Sequence, residues 1–178
     1  KKRNDRKVII HKPDIGETES FFLDDLIYTK PRDYFKSGIN ICKSEGINFS
    51  QGIECEVTSN IPIQAGTGSS SALMVSWIHF LSQLADKPNI WQPIKIGELA
   101  FKAEVREFNE PGGMMDQYTS ALGHLIYMQS KPKMNIKKLN PKLGTFVLGD
   151  SNEPKDTMDI LKRCRDSRLK ILDKLRMT

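Results

Sequence analysis

Pro62-Ile63-Gln64-Ala65-Gly66-Thr67-Gly68-Ser69-Ser70-Ser71-Ala72 joins two segments of different periodicity. Before it, Ile53, Cys55 and Val57 alternate with Glu54, Glu56 and Thr58, which predicts a strand over residues 52–59 with one buried face. After it, Leu73, Trp77, Leu81 and Leu84 recur at intervals of three and four, which predicts an apolar helix over about residues 70–85. A Gly/Ser loop between a strand and a helix suits an anion. The glycines let backbone N–H groups approach it with no Cβ in the way. The helix N-terminus adds unpaired donors and the positive end of a dipole, and the serine hydroxyls can reach phosphate or a metal ion. The loop is not a Walker loop, because no lysine lies between Lys43 and Lys87, and it is not GxGxxG. A plain Gly/Ser turn with a serine N-cap would account for the same residues.

Outward from this loop, strand and helix patterns alternate irregularly. Val8-Ile9-Ile10 and Ser20-Phe21-Phe22-Leu23 predict short strands, and a helix over about residues 33–44 carries Phe35, Ile39 and Cys42 and stops near Gly46. Pro93 suits the first turn of a helix that runs to about residue 108. After Pro111-Gly112-Gly113 come a short helix near residues 116–121 and strands near 125–128, 134–138 and 146–149. A last helix, over about residues 155–174, places Met158, Leu161, Leu169, Leu172 and Leu175 among its charges. The regular βαβ rhythm of a doubly wound sheet is lacking, so the fold class is α+β. A length of 178 residues suits one domain, or one domain with a fragment of another.

A second segment, residues 104–117, brings acids to a turn: Glu104-Val105-Arg106-Glu107-Phe108-Asn109-Glu110-Pro111-Gly112-Gly113-Met114-Met115-Asp116-Gln117. Ile96, Leu99, Ala100 and Ala103 make an apolar helical stripe, with Glu107 on the stripe and Glu104 on its flank. An acid turned toward a core needs a partner, and a metal ion supplies one. Mg²⁺ takes one or two protein oxygens and fills its other positions with phosphates and water, which fits a serine plus a carboxylate. A solvated helix face would equally explain both glutamates, and an N-cap would explain Asp116.

A phosphate cradle, a candidate Mg²⁺ carboxylate and an isolated aspartate are the parts phosphoryl transfer requires. In these segments the sequence resembles the GHMP kinases, named for galactokinase, homoserine kinase, mevalonate kinase and phosphomevalonate kinase. Residues 62–72 resemble their ATP-binding Pro-x-Gly-x-Gly-Leu-Gly-Ser-Ser-Ala loop. Residues 104–117 resemble the galactokinase segment that runs from a Mg²⁺-binding glutamate to a Gly-x-Met-Asp-Gln catalytic aspartate, and Asp33-Tyr34-Phe35-Lys36-Ser37-Gly38 is similar to its Asn-Tyr-x-Lys-Gly helix. There are departures. Gln64 replaces the first loop glycine and Thr67 the usual leucine, Gly112 stands where galactokinases usually carry cysteine, and Pro31 where some place a tryptophan near the adenine.

The resemblance implies a GHMP kinase N-terminal domain, whose fold resembles a ribosomal-protein domain. It implies ATP phosphates along Gly66, Thr67, Gly68, Ser69, Ser70 and Ser71, and Mg²⁺ held by Ser70 and Glu104 rather than Glu107. Asp116 would be the catalytic residue at the acceptor hydroxyl, with Gly113 and Asp116 binding substrate. The implied activity is that of a cytoplasmic sugar kinase with ATP and Mg²⁺ as cofactors. The acceptor stays open among galactose, another hexose and a heptose. The family's Arg-x-x-x-x-Gly-Glu-His-x-Asp-Tyr motif, its third Gly-rich motif and its C-terminal domain do not occur in the chain. Residues 1–178 are therefore expected to be one N-terminal, ATP-binding domain trimmed at both ends and inactive alone, with residues 155–178 leading toward the C-terminal domain. A non-catalytic sugar and ATP sensor and an RNA-binding domain of related fold are the alternatives.

The formal charge of +5 and pI near 9.1 suggest an acidic partner such as nucleic acid. Its placement argues otherwise. Residues 1–12 carry six basic side chains against Asp5, which is the whole excess, and residues 13–154 are net acidic by four. Aromatic residues do not interleave with the basic ones, so a nucleic acid is not expected, and no apolar run approaches the roughly 20 residues of a membrane-spanning helix, so neither is a membrane partner. Cys42, Cys55 and Cys164 show no CxxC or Cys/His pattern, and His11, His79 and His124 are scattered, so neither a disulfide framework nor a zinc site is expected.

Overall fold

The computed structural model describes residues 1–63, 65–149 and 157–177; Gln64 of the Gly/Ser loop and the expected start of the last helix at Lys155 lie outside the described residues. Strands β1 (Lys2–Arg3), β2 (Lys7–Lys12), β3 (Glu17–Phe22) and β4 (Gly52–Glu56) form one sheet in the order β1-β4-β2-β3. β2 and β3 are an antiparallel pair turned through a 3-10 segment, Pro13–Ile15. The chain returns through helix α1 (Tyr34–Ser44) to lay β4 parallel to β2, with Val8 opposite Ile53 and Ile10 opposite Cys55. That register puts the alternating apolar residues of both strands on one face. β4 stops at Glu56, earlier than the sequence pattern suggests, because its partner ends at Lys12 before Pro13. The last link between them is Val57 N–H to His11 O, 2.8 Å.

Helices α2 (Ser69–Leu84), α3 (Pro93–Phe101) and α4 (Met115–Leu122) complete the domain. One buried cluster joins Val8, Ile10 and Ile53 of the sheet to Ile39 of α1, Met74, Ile78 and Leu81 of α2, and Leu99 of α3. The predicted stripe Ile96, Leu99, Ala100 and Ala103 is buried throughout. Phe35 and Trp77 meet edge to face at 5.2 Å, and the Trp77 indole N–H donates to Phe35 O at 3.1 Å, which fixes α1 against α2. Gly97 brings α3 onto α4, since a Cβ there would lie 3.1 Å from Tyr118 Cα.

Beyond α4, β5 (Leu125–Gln129) and β6 (Asn135–Leu139) pair with each other, and helix α5 (Thr157–Arg176) follows. The expected strand at residues 146–149 is not formed. Phe146, Val147 and Leu148 are irregular and 78–93% exposed. β-branched and aromatic residues favour a strand only where a neighbour completes the backbone ladder, and among the described residues β5 and β6 pair only with each other.

The basic N-terminal residues meet carboxylates of the domain body. Lys1 and Arg3 pair with Glu54, Arg3 also with Asp5, Arg6 with Asp24, and Lys12 with Glu17 and Glu19. Beside the Arg3 guanidinium the Asp5 carboxyl is held down to about 2. No helix among the described residues is long and apolar enough to cross a membrane.

Candidate active site

The site is built where the N-terminus of α2 meets the end of α3 and the start of α4. Gly68 occupies the N-cap of α2 in the left-handed region, φ +74°, and contributes no side-chain cap. Ala72 N–H donates to Gly68 O at 3.0 Å, so the N–H groups of Ser69, Ser70 and Ser71 precede the first intrahelical bond and are free for an anion. Gly66 (φ +75°) and Thr67 are exposed above them, and Thr67 Oγ1 closes the loop on Pro62 O at 3.2 Å. The serine N-cap considered from sequence is not formed; a glycine takes that place.

α3 does not continue as a regular helix. Lys102–Arg106 is a π-helical turn, in which Glu107 N–H donates to Lys102 O and Glu110 N–H to Val105 O, both at 2.9 Å and both five residues back. The wider turn lags the 3.6-residue phase by about one position. The helical wheel places Glu107 inside and Glu104 on the flank; the structure reverses them. Glu104 is 5% exposed, whereas Glu107 lies at the surface and accepts from the Tyr28 hydroxyl.

Glu104 is held by two other buried polar side chains. Ser71 Oγ donates to Glu104 Oε2 at 2.9 Å, and Gln117 Nε2 donates to the same oxygen at 2.7 Å and to Ser71 Oγ at 3.1 Å. Ser71 and Gln117 are each 2% exposed. The triangle ties α2, the π-turn and α4 together at one point. Ser70, expected beside Glu104, is half-buried one position earlier; the hydroxyl that touches Glu104 is that of Ser71. Glu104 Oε1 has no hydrogen-bond partner among the described residues.

Asp116 stands in the first turn of α4, next in the chain to Gln117. It is exposed, without a hydrogen bond or ion pair among the described residues, and Met114 rather than Asp116 takes the N-cap position. Gly113 is exposed in the turn before it, with open space where a Cβ would be. The turn is fastened from the far side. Arg32 grips Glu110 with two bonds, 2.6 and 3.0 Å, and Phe108 packs against Tyr28 at 5.2 Å and Tyr34 at 5.9 Å. Burial pushes the Tyr28 phenol up to about 12, and it raises Tyr34 too, with the Glu104 carboxylate adding to that rise. Both tyrosines are therefore neutral at physiological pH, and the Tyr28 hydroxyl donates to Glu107 while accepting from the Asn40 amide. Arg32 (φ +55°) and Asn109 (φ +50°) adopt left-handed backbone at the two ends of this clasp.

Sequence reasoning named Glu104, Asp116 and the loop as candidates but did not foresee Ser71 and Gln117 as hydrogen-bond partners of the acid. A glutamine immediately after the isolated aspartate was visible, yet nothing in residue type alone tells a buried amide from a surface one. The Arg32–Glu110 clasp was equally hidden, since 78 residues separate its ends.

Mg²⁺ suits these side chains. It needs few protein oxygens, and here a buried carboxylate keeps one oxygen unpaired beside helix-terminal hydroxyls. Gln117 Oε1 is buried with no hydrogen-bond partner among the described residues, an acceptor that a metal-bound water could meet. The group differs from sites built of several carboxylates, histidines or thiolates; the described residues hold no cluster of three such groups.

The described residues thus set a Gly/Ser loop at the open N-terminus of α2, a buried acid and an exposed aspartate on one side of a small α+β domain. Residues 33–124 match the GHMP kinases N terminal domain, and the chain belongs to that family. Galactokinase of Haemophilus influenzae is 29% identical over 161 residues, which is 87% of this chain and 41% of that protein. Mevalonate kinase of Thermococcus gammatolerans is 26% identical over 161 residues, 89% of this chain and 47% of that one. The crystal structure of Lactococcus lactis galactokinase complexed with galactose superposes with a TM-score of 0.65 at 22% identity, covering 79% of this chain and 38% of that one, which supports the fold. The chain spans about two fifths of the length of the galactokinases it matches.

Proposed function

We propose that this chain is the ATP-binding domain of a galactokinase-like kinase that transfers the γ-phosphoryl group of ATP to a hydroxyl of a small sugar. One observation carries the reading. The buried triangle of Ser71, Glu104 and Gln117 joins the first turn of α2 to the first turn of α4, where Asp116 is the next residue in the chain to Gln117. Backbone N–H groups of residues 66–71 bind the phosphates, aided by the dipole of α2. Ser70 and Glu104 hold Mg²⁺, which when bound neutralises phosphate charge. Asp116 orients the acceptor hydroxyl for in-line attack and takes its proton, and Gly113 leaves space for the acceptor beside it. Positioning and charge stabilisation supply most of the acceleration. The Arg32–Glu110 clasp keeps the Pro111-Gly112-Gly113 turn, and with it Asp116, in place.

The identity of the acceptor rests on the likeness to galactokinases, at 29% identity. The test is ADP release by the full-length protein over a panel of galactose, other hexoses, heptoses and mevalonate. Sugar-dependent, Mg²⁺-dependent release is expected. Tight ATP binding with no release for any acceptor would refute the kinase and leave a sensor. Turnover with mevalonate alone would refute the sugar assignment. The isolated 178-residue chain should release no ADP.

A further inference from the structure

We infer that Gln117 is a positioning residue that sets the metal preference of the site, by restricting Glu104 to coordination through one oxygen. The inference rests on the reading of Glu104 as the Mg²⁺ ligand and deepens it. Both protein donors that reach the Glu104 carboxylate, Ser71 Oγ at 2.9 Å and Gln117 Nε2 at 2.7 Å, converge on Oε2, while Oε1 has no partner among the described residues. The orientation of the Gln117 amide follows from chemistry. Reversing it would place a carbonyl oxygen against a carboxylate oxygen in a buried setting, with no proton between them. The amide therefore donates, and Oε2 is committed to the protein.

A carboxylate with one oxygen so engaged presents the other alone. Mg²⁺, small and near-octahedral, accepts such single-oxygen ligands together with waters and phosphate oxygens. Ca²⁺ takes about six to eight oxygens and gains from a carboxylate that grips with both. Two-oxygen binding by Glu104 would first have to break the bonds from Ser71 and Gln117, each a hydrogen bond to a charged group in a desolvated place. Gln117 acts through Glu104 and touches neither metal nor substrate itself. Its position directly after Asp116 means that the same residue which sets the metal ligand also anchors the first turn of α4.

The test compares affinities of the β,γ-imido analogue of ATP for the full-length protein by calorimetry, in excess Mg²⁺ and in excess Ca²⁺. The proteins are wild type, Gln117→Met, Ser71→Ala and Glu104→Gln. Methionine keeps the length of the glutamine side chain and removes its donor. In Gln117→Met the ratio of Ca²⁺-supported to Mg²⁺-supported affinity should rise about tenfold, the worth of roughly one charge-assisted hydrogen bond. Ser71→Ala should move the ratio the same way. Equal weakening with both metals would mean that Gln117 only supports the fold, and would overturn the inference. Melting followed by circular dichroism in EDTA identifies a variant that does not fold. If Gln117→Met is such a variant, Ser71→Ala decides by the same ratio. Wild-type Mg²⁺-supported affinity in Glu104→Gln would overturn the metal reading and this inference with it. Weakened affinity there, with an unmoved ratio in the other two, would overturn this inference alone.

Discussion

Asp116→Asn separates chemistry from architecture at a position where the structure keeps the two apart. The carboxylate is exposed and has neither a hydrogen bond nor an ion pair among the described residues, so asparagine of the same shape breaks no contact. What it forfeits structurally is the favourable placement of a negative charge in the first turn of α4. That is worth about 0.3–1 kcal/mol. For a protein of this size or larger, the melting temperature should fall by no more than about 4 °C. Gln117 stays buried against Glu104 and Ser71, so the binding of Mg²⁺ and ATP should remain near wild type. Turnover should not, because asparagine cannot accept the proton of the acceptor hydroxyl. General-base contributions imply a loss of about 100- to 10,000-fold in kcat. The assay is ADP release by the full-length protein at saturating sugar, alongside nucleotide affinity by calorimetry and melting by circular dichroism. Turnover within a few-fold of wild type would refute the role of Asp116. A melting temperature lowered by much more than the helix-dipole figure would refute the claim that its side chain is structurally idle.

Gly97→Ala should destabilise, since the new Cβ would lie 3.1 Å from Tyr118 Cα and 3.4 Å from Gln117 O and Ala121 Cβ, so that α4 must shift away from α3. Overpacking of this kind costs about 1–3 kcal/mol, and a lowered urea midpoint with an unchanged slope would register it. Acid stability should depend on Arg3. The Asp5 carboxyl, with an ordinary value of 3.8, is held at about 2 by its hydrogen bond to the Arg3 guanidinium. A carboxyl lowered in the folded state contributes stability above its unfolded pKa, and that contribution disappears as pH falls through the folded value. Arg3→Met should therefore be less stable than wild type at pH 5, with the gap closing between about pH 4 and pH 2. A gap that persists at pH 2 would show that the loss has another cause.

The sequence pattern was legible wherever the backbone kept a regular period. The strand Gly52–Glu56, α1 and α2 lie within a few residues of their predicted places because alternation and the 3.6-residue stripe are both consequences of burial on one face. The pattern was misleading where a regular period was interrupted. Counting on from Ile96 and Leu99 at a constant 100° gives Glu107 the inward position, but the π-turn at Lys102–Arg106 resets the phase and turns Glu104 inward. Residue types announce neither that turn nor the pairing of Gln117 with an acid 13 positions earlier. Phe146-Val147-Leu148 has the composition of a strand and lacks a partner strand among the described residues, a fact about those other residues rather than about its own.

The same interruption decides which acids are free to work. Residues 104–116 carry Glu104, Glu107, Glu110 and Asp116 against the single Arg106, an unfavourable surrounding for nucleotide phosphates. Two of the four are spent on the fold, Glu107 on the Tyr28 hydroxyl and Glu110 on the Arg32 guanidinium. The remaining two differ in kind. Among the described residues Glu104 is buried with one oxygen unpaired, which suits the metal ligand proposed for it, whereas Asp116 is exposed and unpaired, which suits the proposed base for a diffusing acceptor. No lysine lies between Lys43 and Lys87, so the loop itself contributes no cation to the phosphates. On the kinase reading proposed above, their charge would be met by the N–H groups at the start of α2 and by the Mg²⁺ that Ser70 and Glu104 would hold. A buried carboxylate beside that helix terminus would favour such a cation, because the cation would relieve the desolvated acid and the phosphates together.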